Sequence, residues 1–147
     1  MYGHFDRDFL WNSPQCLGKL VRLRQQPLLG GKNATFWHLI SVDNESDSER
    51  VGPRLREINR VPDLERCERI RWIRPILEAT DGKVLRWKAV TRTSHGNDKR
   101  LLLSLTDFSY LVVLSERSSH FLLVTAYWVQ RKQRREALAR DYGELKP

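Results

Sequence analysis

Of the four histidines, His38 is the one whose setting suits proton transfer. Imidazole titrates near neutrality without help from its surroundings. His38 lies in Thr35–Ser41 (TFWHLIS), a run of aromatic and branched residues, where a plainly packed histidine is the competing reading. His4, His95 and His120 fall at a terminus or in turns and rank below it. Thr125 and Tyr127 form a second candidate, a hydroxyl pair. In a strand over His120–Val129 they point the same way, roughly 7 Å apart. Strict alternation places them with Phe121, Leu123 and Val129, opposite Leu122, Val124, Ala126 and Trp128. Both faces are apolar, as in a central strand covered on each side. The pair either lines a site or packs with the tyrosine hydroxyl at the rim.

Arginine supplies the chemistry for anions. On a helix over residues 64–77, Cys67, Ile70, Ile73 and Leu77 share one face, and Arg66 falls inside that stripe. A guanidinium there is costly unless it is paired or faces a cleft. It either forks onto a phosphate or joins an ion-pair network with Asp63, Glu65 and Glu68. Residues 83–100 hold six cations (Lys83, Arg86, Lys88, Arg92, Lys99, Arg100) and one acid, Asp98. Such a sheet segment suits phosphates better than an ordinary solvated face, because the balancing acids are missing. A basic closing helix adds Arg131, Lys132, Arg134, Arg135 and Arg140, for a phosphate backbone or for solvent.

These side chains need elements to position them. Ser13-Pro14 suits a helix start, predicting a helix to about Gln26 that stops before Pro27. A loop at Gly30–Asn33 precedes a strand over Thr35–Ser41, and Asp43–Glu49 is an acidic loop. Residues 50–74 carry eight arginines, including Arg50, Arg54 and Arg56. Asp63 caps the helix from Leu64, and Pro75 kinks or restarts it near Arg74. Lys83–Thr91, Arg100–Leu105, Tyr110–Leu114 and His120–Val129 read as strands, separated by turns of hairpin length. A helix over Gln130–Tyr142 ends near Gly143. The expected fold class is α+β: N-terminal helices on one face of a four- to five-stranded, mainly antiparallel twisted sheet, with a basic C-terminal helix.

The chain has 147 residues, 40% of them hydrophobic, and a formal net charge of +8. That length and apolar content fit a single domain, and the charge draws polyanions. Residues 1–30 lack the pattern of a signal peptide, and no apolar run approaches the length of a membrane span. With Cys16 and Cys67 read as reduced thiols, a cytoplasmic location follows. No zinc pattern, phosphate-binding glycine loop or carboxylate cluster is present, so no cofactor is expected and a two-metal nuclease is disfavoured.

Four segments together resemble a known group. WHLIS, RCERIRWIRPILEAT, KRLLLSLTDFSYLVVLSER and HFLLVTAYWVQRKQRREALARDYGEL are similar to phage and bacterial proteins of the barnase–EndoU–colicin–RelE-like nuclease superfamily, in its phage-type branch. The motifs are R-x-x-R-I-x-W on the helix and a strand ending in T-A-Y, followed by a basic helix. The likeness covers residues 35–143, which implies a nuclease domain over 35–147 behind a helical extension at 1–34. It implies a metal-independent endoribonuclease in which the ribose 2′-OH attacks its own phosphate, leaving a cyclic phosphate. Matching positions are His38 as acid or base, Arg66, Arg69 and Arg100 as phosphate clamps, and Thr125 and Tyr127 as positioning donors. Arg86, Lys88, Lys99, Arg131, Lys132, Arg134 and Arg135 would hold the RNA backbone. The expected partners are RNA and an acidic inhibitor protein. A non-catalytic nucleic-acid-binding or protein-interaction module on the same scaffold is the alternative.

Overall fold

The computed structural model describes residue 9 and residues 13–23, 39–43, 60–62, 64–94 and 96–145. From Val84 onward the alternating apolar pattern folds as a meander. Strands β5 (Val84–Thr93), β6 (Gly96–Leu105), β7 (Tyr110–Glu116) and β8 (His120–Trp128) pair antiparallel in chain order. The β6–β7 turn closes on Phe108, whose backbone is left-handed (φ 58°), while Asp107 accepts from the Ser109 N–H at 3.0 Å.

The segment after Ser13 is not helical. β1 (Gln15–Cys16) and β2 (Lys19–Leu23) form a tight antiparallel hairpin around Leu17 and Gly18, whose φ angles are 51° and 79°. Two successive left-handed residues suit a two-residue hairpin turn, and a right-handed helix has no place for them. Lys19–Leu23 alternates, with Val21 and Leu23 buried and Leu20 and Arg22 exposed. That period of two outweighs the Ser-Pro start signal. β2 then lies parallel to β8, Leu20–Leu23 against His120–Leu123. The fold is α+β, but its main sheet is six-stranded and mixed, ordered β1-β2-β8-β7-β6-β5.

Leu39 and Ile40 are helical and buried, not extended. The short strand β3 (Ser41–Asp43) starts after them and pairs with β4 (Arg60–Pro62). The remainder of the 1–34 extension, the strand expected over 35–38, most of the acidic loop, Arg50, Arg54, Arg56 and the Asp63 cap lie outside the described residues, as do His4, His38 and His95.

The arginine-rich helix breaks after Glu68 and restarts at Ile73, beside Arg74 as expected. α1 (Leu64–Glu68) passes through Arg69 into a 3₁₀ turn, Ile70–Trp72, and then α2 (Ile73–Glu78). Pro75 is the third residue of α2, where a backbone N–H would lack an intrahelical acceptor anyway, so it is accommodated without a kink. Ile70, Ile73, Ile76 and Leu77 pack on the inner sheet face against Leu101, Leu103, Val112, Leu114, Phe121 and Leu123. On the outer face Leu138 and Tyr142 of α3 (Lys132–Leu145) cover Trp87, Leu111 and Phe108.

The sheet curls until its two edge strands approach each other. Arg86 of β5 donates through Nη2 to the Ala79 carbonyl, and its guanidinium lies beside the Cys16 thiol of β1, at the opposite edge. Lys19 of β2 and Lys88 of β5 both reach Glu116 of β7, each at 3.7 Å. Both cysteines are free thiols, Cys16 buried and Cys67 half-buried.

Candidate nucleic-acid interface

β8 is only partly flanked by a second strand. β2 pairs with it along His120–Leu123, which leaves Thr125–Trp128 without a strand neighbour on that side among the described residues. Opposite β7 the register slips: Val113 faces Thr125, whereas Leu114 faces Leu123, so Val124 is a bulge. A bulge reverses the alternation beyond it. Phe121, Leu123, Ala126 and Trp128 therefore belong to the inner face, and Val124 and Tyr127 to the outer cluster. Thr125 and Tyr127 do share a side, as strand geometry predicts. They do not share it with Phe121 and Leu123, because strict alternation ignores the extra residue.

The helical layer meets this open end through two guanidinium groups. Arg66 of α1 stacks over the ring of Tyr127, its Cζ 5.6 Å from the centroid. Arg69 lies over Trp128 at 4.3 Å and over Trp72 at 5.3 Å. Its Nη1 is 3.9 Å from Glu68, and the Tyr110 hydroxyl donates to its carbonyl at 3.4 Å. Burial pushes the Tyr110 phenol above its ordinary pKa, against the opposing pull of the Arg66 and Arg69 charges. Trp72 packs tilted against Tyr110, ring centroids 5.4 Å apart at 59°, and is 42% exposed. Arginine planes on aromatic faces are stabilised by cation–π attraction. The arginine in the apolar stripe thus reaches an aromatic ring at the end of the sheet.

Arg100 stands elsewhere. It pairs with Ser115, while Tyr127 pairs with Leu111, so four residue steps (about 13 Å) along β7 and two strand spacings separate them. Its Nε donates to Asp98 at 3.0 Å. Asp98 also accepts from the Ser115 hydroxyl and lies 3.4 Å from Arg117. Burial raises the Asp98 pKa, but these donors and charges outweigh it and hold the carboxyl below its usual range. Arg100 is therefore engaged in a structural network with Asp98.

The other candidate cations divide into three groups. Arg86 turns inward to the seam between the sheet edges, where its Nε is buried without a partner. Lys88 and Lys99 are exposed on the β5–β6 hairpin. Arg131, Lys132 and Arg134 are exposed at the start of α3, whereas Arg135 donates from Nε to the Val129 carbonyl at 2.7 Å and anchors that helix. His120 is the one histidine among the described residues; its Nδ1 is 3.1 Å from the Ser119 hydroxyl, at the far end of β8 from Tyr127. Among the described residues, no three His, Cys, Asp or Glu side chains gather as a metal site would require.

Trp72, Tyr110 and Trp128 were not among the sequence candidates. Their signal was an aromatic at each point where an arginine could stack, but a large aromatic in an apolar run reads first as core. Compared with protein-family models, curated proteins and solved structures, the chain matches none.

Proposed function

We propose that the protein is a metal-independent endoribonuclease whose site lies where Arg66 of α1 meets Tyr127 of β8. One observation carries this reading. The R-x-x-R-I-x-W helix and the T-A-Y strand, about sixty residues apart in the chain, come together as Arg66 on Tyr127 and Arg69 on Trp128. The reaction needs a base for the ribose 2′-OH, cations for the charge that grows on the phosphoryl oxygens, and an acid for the leaving oxygen. The 2′-oxygen forms the new bond to phosphorus, the P–O5′ bond breaks, and the 5′-oxygen leaves with a proton. Arg66 is assigned the phosphate, Thr125 and Tyr127 the positioning of the strand, and His38 the proton transfers. Cys67, the neighbour of Arg66, donates from Sγ to the Ile40 carbonyl at 3.8 Å, and His38 itself lies outside the described residues.

Incubation of the purified protein with total RNA in EDTA tests the proposal. Fragments ending in 2′,3′-cyclic phosphate are expected. His38→Ala and Arg66→Ala should each lower turnover by about 10²–10⁴-fold, and Arg100→Ala should leave turnover per folded molecule near wild type. Intact RNA, or cleavage that EDTA abolishes, would sink the mechanism. A second reading, RNA binding without cleavage, is favoured by the exposed Trp72 beside Arg69, since an exposed aromatic ring can stack an unpaired base. It predicts salt-sensitive binding of RNA that stays intact.

A further inference from the structure

The β5–β6 hairpin outruns the rest of the sheet. β7 stops pairing with β6 at Arg100↔Ser115, whereas β5 and β6 pair on to Thr93↔Gly96. Val90–Thr93 and Gly96–Lys99 thus form a two-stranded ribbon four residue pairs long, projecting roughly 13 Å. Its two faces differ in charge. Lys88 pairs with Leu101, a residue of the inner cluster, so alternation puts Lys88, Val90 and Arg92 on the inner side. Lys99, paired with Val90, joins them. Asp98, the ribbon's acid, faces the other way and is occupied by Arg100, Arg117 and Ser115. At the ribbon's base Lys19 and Lys88 share Glu116. Among the described residues the inner side therefore carries four cations against one acid, and Val90, between them, is 64% exposed.

We propose that this side of the ribbon tracks the sugar–phosphate backbone of a single RNA strand, as an anchor remote from the Arg66–Tyr127 contact. The inference rests on the RNA reading of that site. Lys88, Lys99 and Arg92 form one staggered row along the ribbon, with steps of roughly 8 Å from strand rise and spacing. A row one cation wide matches one backbone. The exposed Val90 between the cations gives a sugar or base edge an apolar contact. From the level of Leu85, which lies beside Leu111 and Tyr127 across the sheet, Arg92 is seven residues or about 23 Å away. The footprint implied is several nucleotides, within the range of single-strand binding sites.

A 2′-O-methyl oligouridylate of about twelve nucleotides, which cannot undergo 2′-OH attack, separates binding from cleavage. Its affinity is measured by fluorescence anisotropy across a salt series. Each phosphate contact on a single strand contributes about 0.7 to the slope of log K against log salt. Lys88→Gln/Arg92→Gln/Lys99→Gln should flatten that slope by about 2. Arg92→Gln/Lys99→Gln, which leaves the Glu116 pairs intact and guards against misfolding, should flatten it by about 1.4. Arg22→Gln, an exposed cation of β2 on the other sheet face, should leave it unchanged. If wild type binds but the double variant keeps the wild-type slope, the ribbon proposal is overturned while the RNA reading stands. Absence of binding by wild type at low salt overturns both. Tighter binding of duplex DNA, lost in the double variant, replaces the single strand as occupant.

Discussion

Asp98 shows how one residue can decide which cations remain available to a ligand. It takes up Arg100, Arg117 and the Ser115 hydroxyl, and its depressed pKa makes that network a source of pH-dependent stability. A carboxyl whose folded pKa lies below its unfolded value stabilises the fold above the ordinary carboxylate range, and that contribution is lost as pH falls through the folded pKa. Asp98→Asn should therefore lower the unfolding free energy at pH 7 by about 1–3 kcal/mol. Urea titrations at successive pH values check this: the gap between wild type and variant closes below about pH 4. A gap that persists in acid would mean that packing, not charge, is responsible. At this scale the sequence was partly legible. It marked Asp98 as the lone acid among six cations, but Ser115 and Arg117 join it only through the β6–β7 pairing.

Among the elements, the four-strand meander and the closing helix were readable because alternation and turn residues are local signals. The β1–β2 hairpin was not, since Ser13-Pro14 imitates a helix start and the turn uses Leu17 where glycine or asparagine is usual. Leu17 holds a left-handed backbone at φ 51° and is exposed. Leu17→Asn should stabilise the protein by about 0.5–1 kcal/mol, because asparagine tolerates that conformation better. Gly18→Ala should cost about 1 kcal/mol; a methyl there meets nothing within 4 Å, so the cost comes from the φ of 79° alone. Urea midpoints for the two variants should move in opposite directions. Equal shifts would show that the hairpin tip is not held in this turn. The Val124 bulge was invisible for a related reason: a slip of one residue is set by the partner strand.

Across the whole molecule, the curl of the sheet gives Arg86 a role no cation count could suggest. It joins the two edge strands through the Ala79 carbonyl and the neighbouring Cys16 thiol. Burial pushes the Cys16 thiol up, with Arg86 pulling the other way, so little reactive thiolate is present. A thiol reagent should label half-buried Cys67 first and Cys16 only when the seam opens. Arg86→Ala should speed Cys16 labelling by at least about tenfold, the equivalent of one lost charged hydrogen bond. Arg86→Lys should restore little, since an ammonium lacks the planar fork. Unchanged labelling would show that the edges hold together without Arg86. Composition and periodicity by themselves determined the excess of cations, the α+β class, the meander and the pairing of Thr125 with Tyr127 on one side. Tertiary structure alone decided that Arg66 and Arg69 meet the end of β8, that Arg100 is engaged by Asp98, and that Arg86 faces inward. Periodicity is a property of neighbouring residues, whereas the destination of a guanidinium depends on which distant carboxylate, carbonyl or ring the fold carries within its reach.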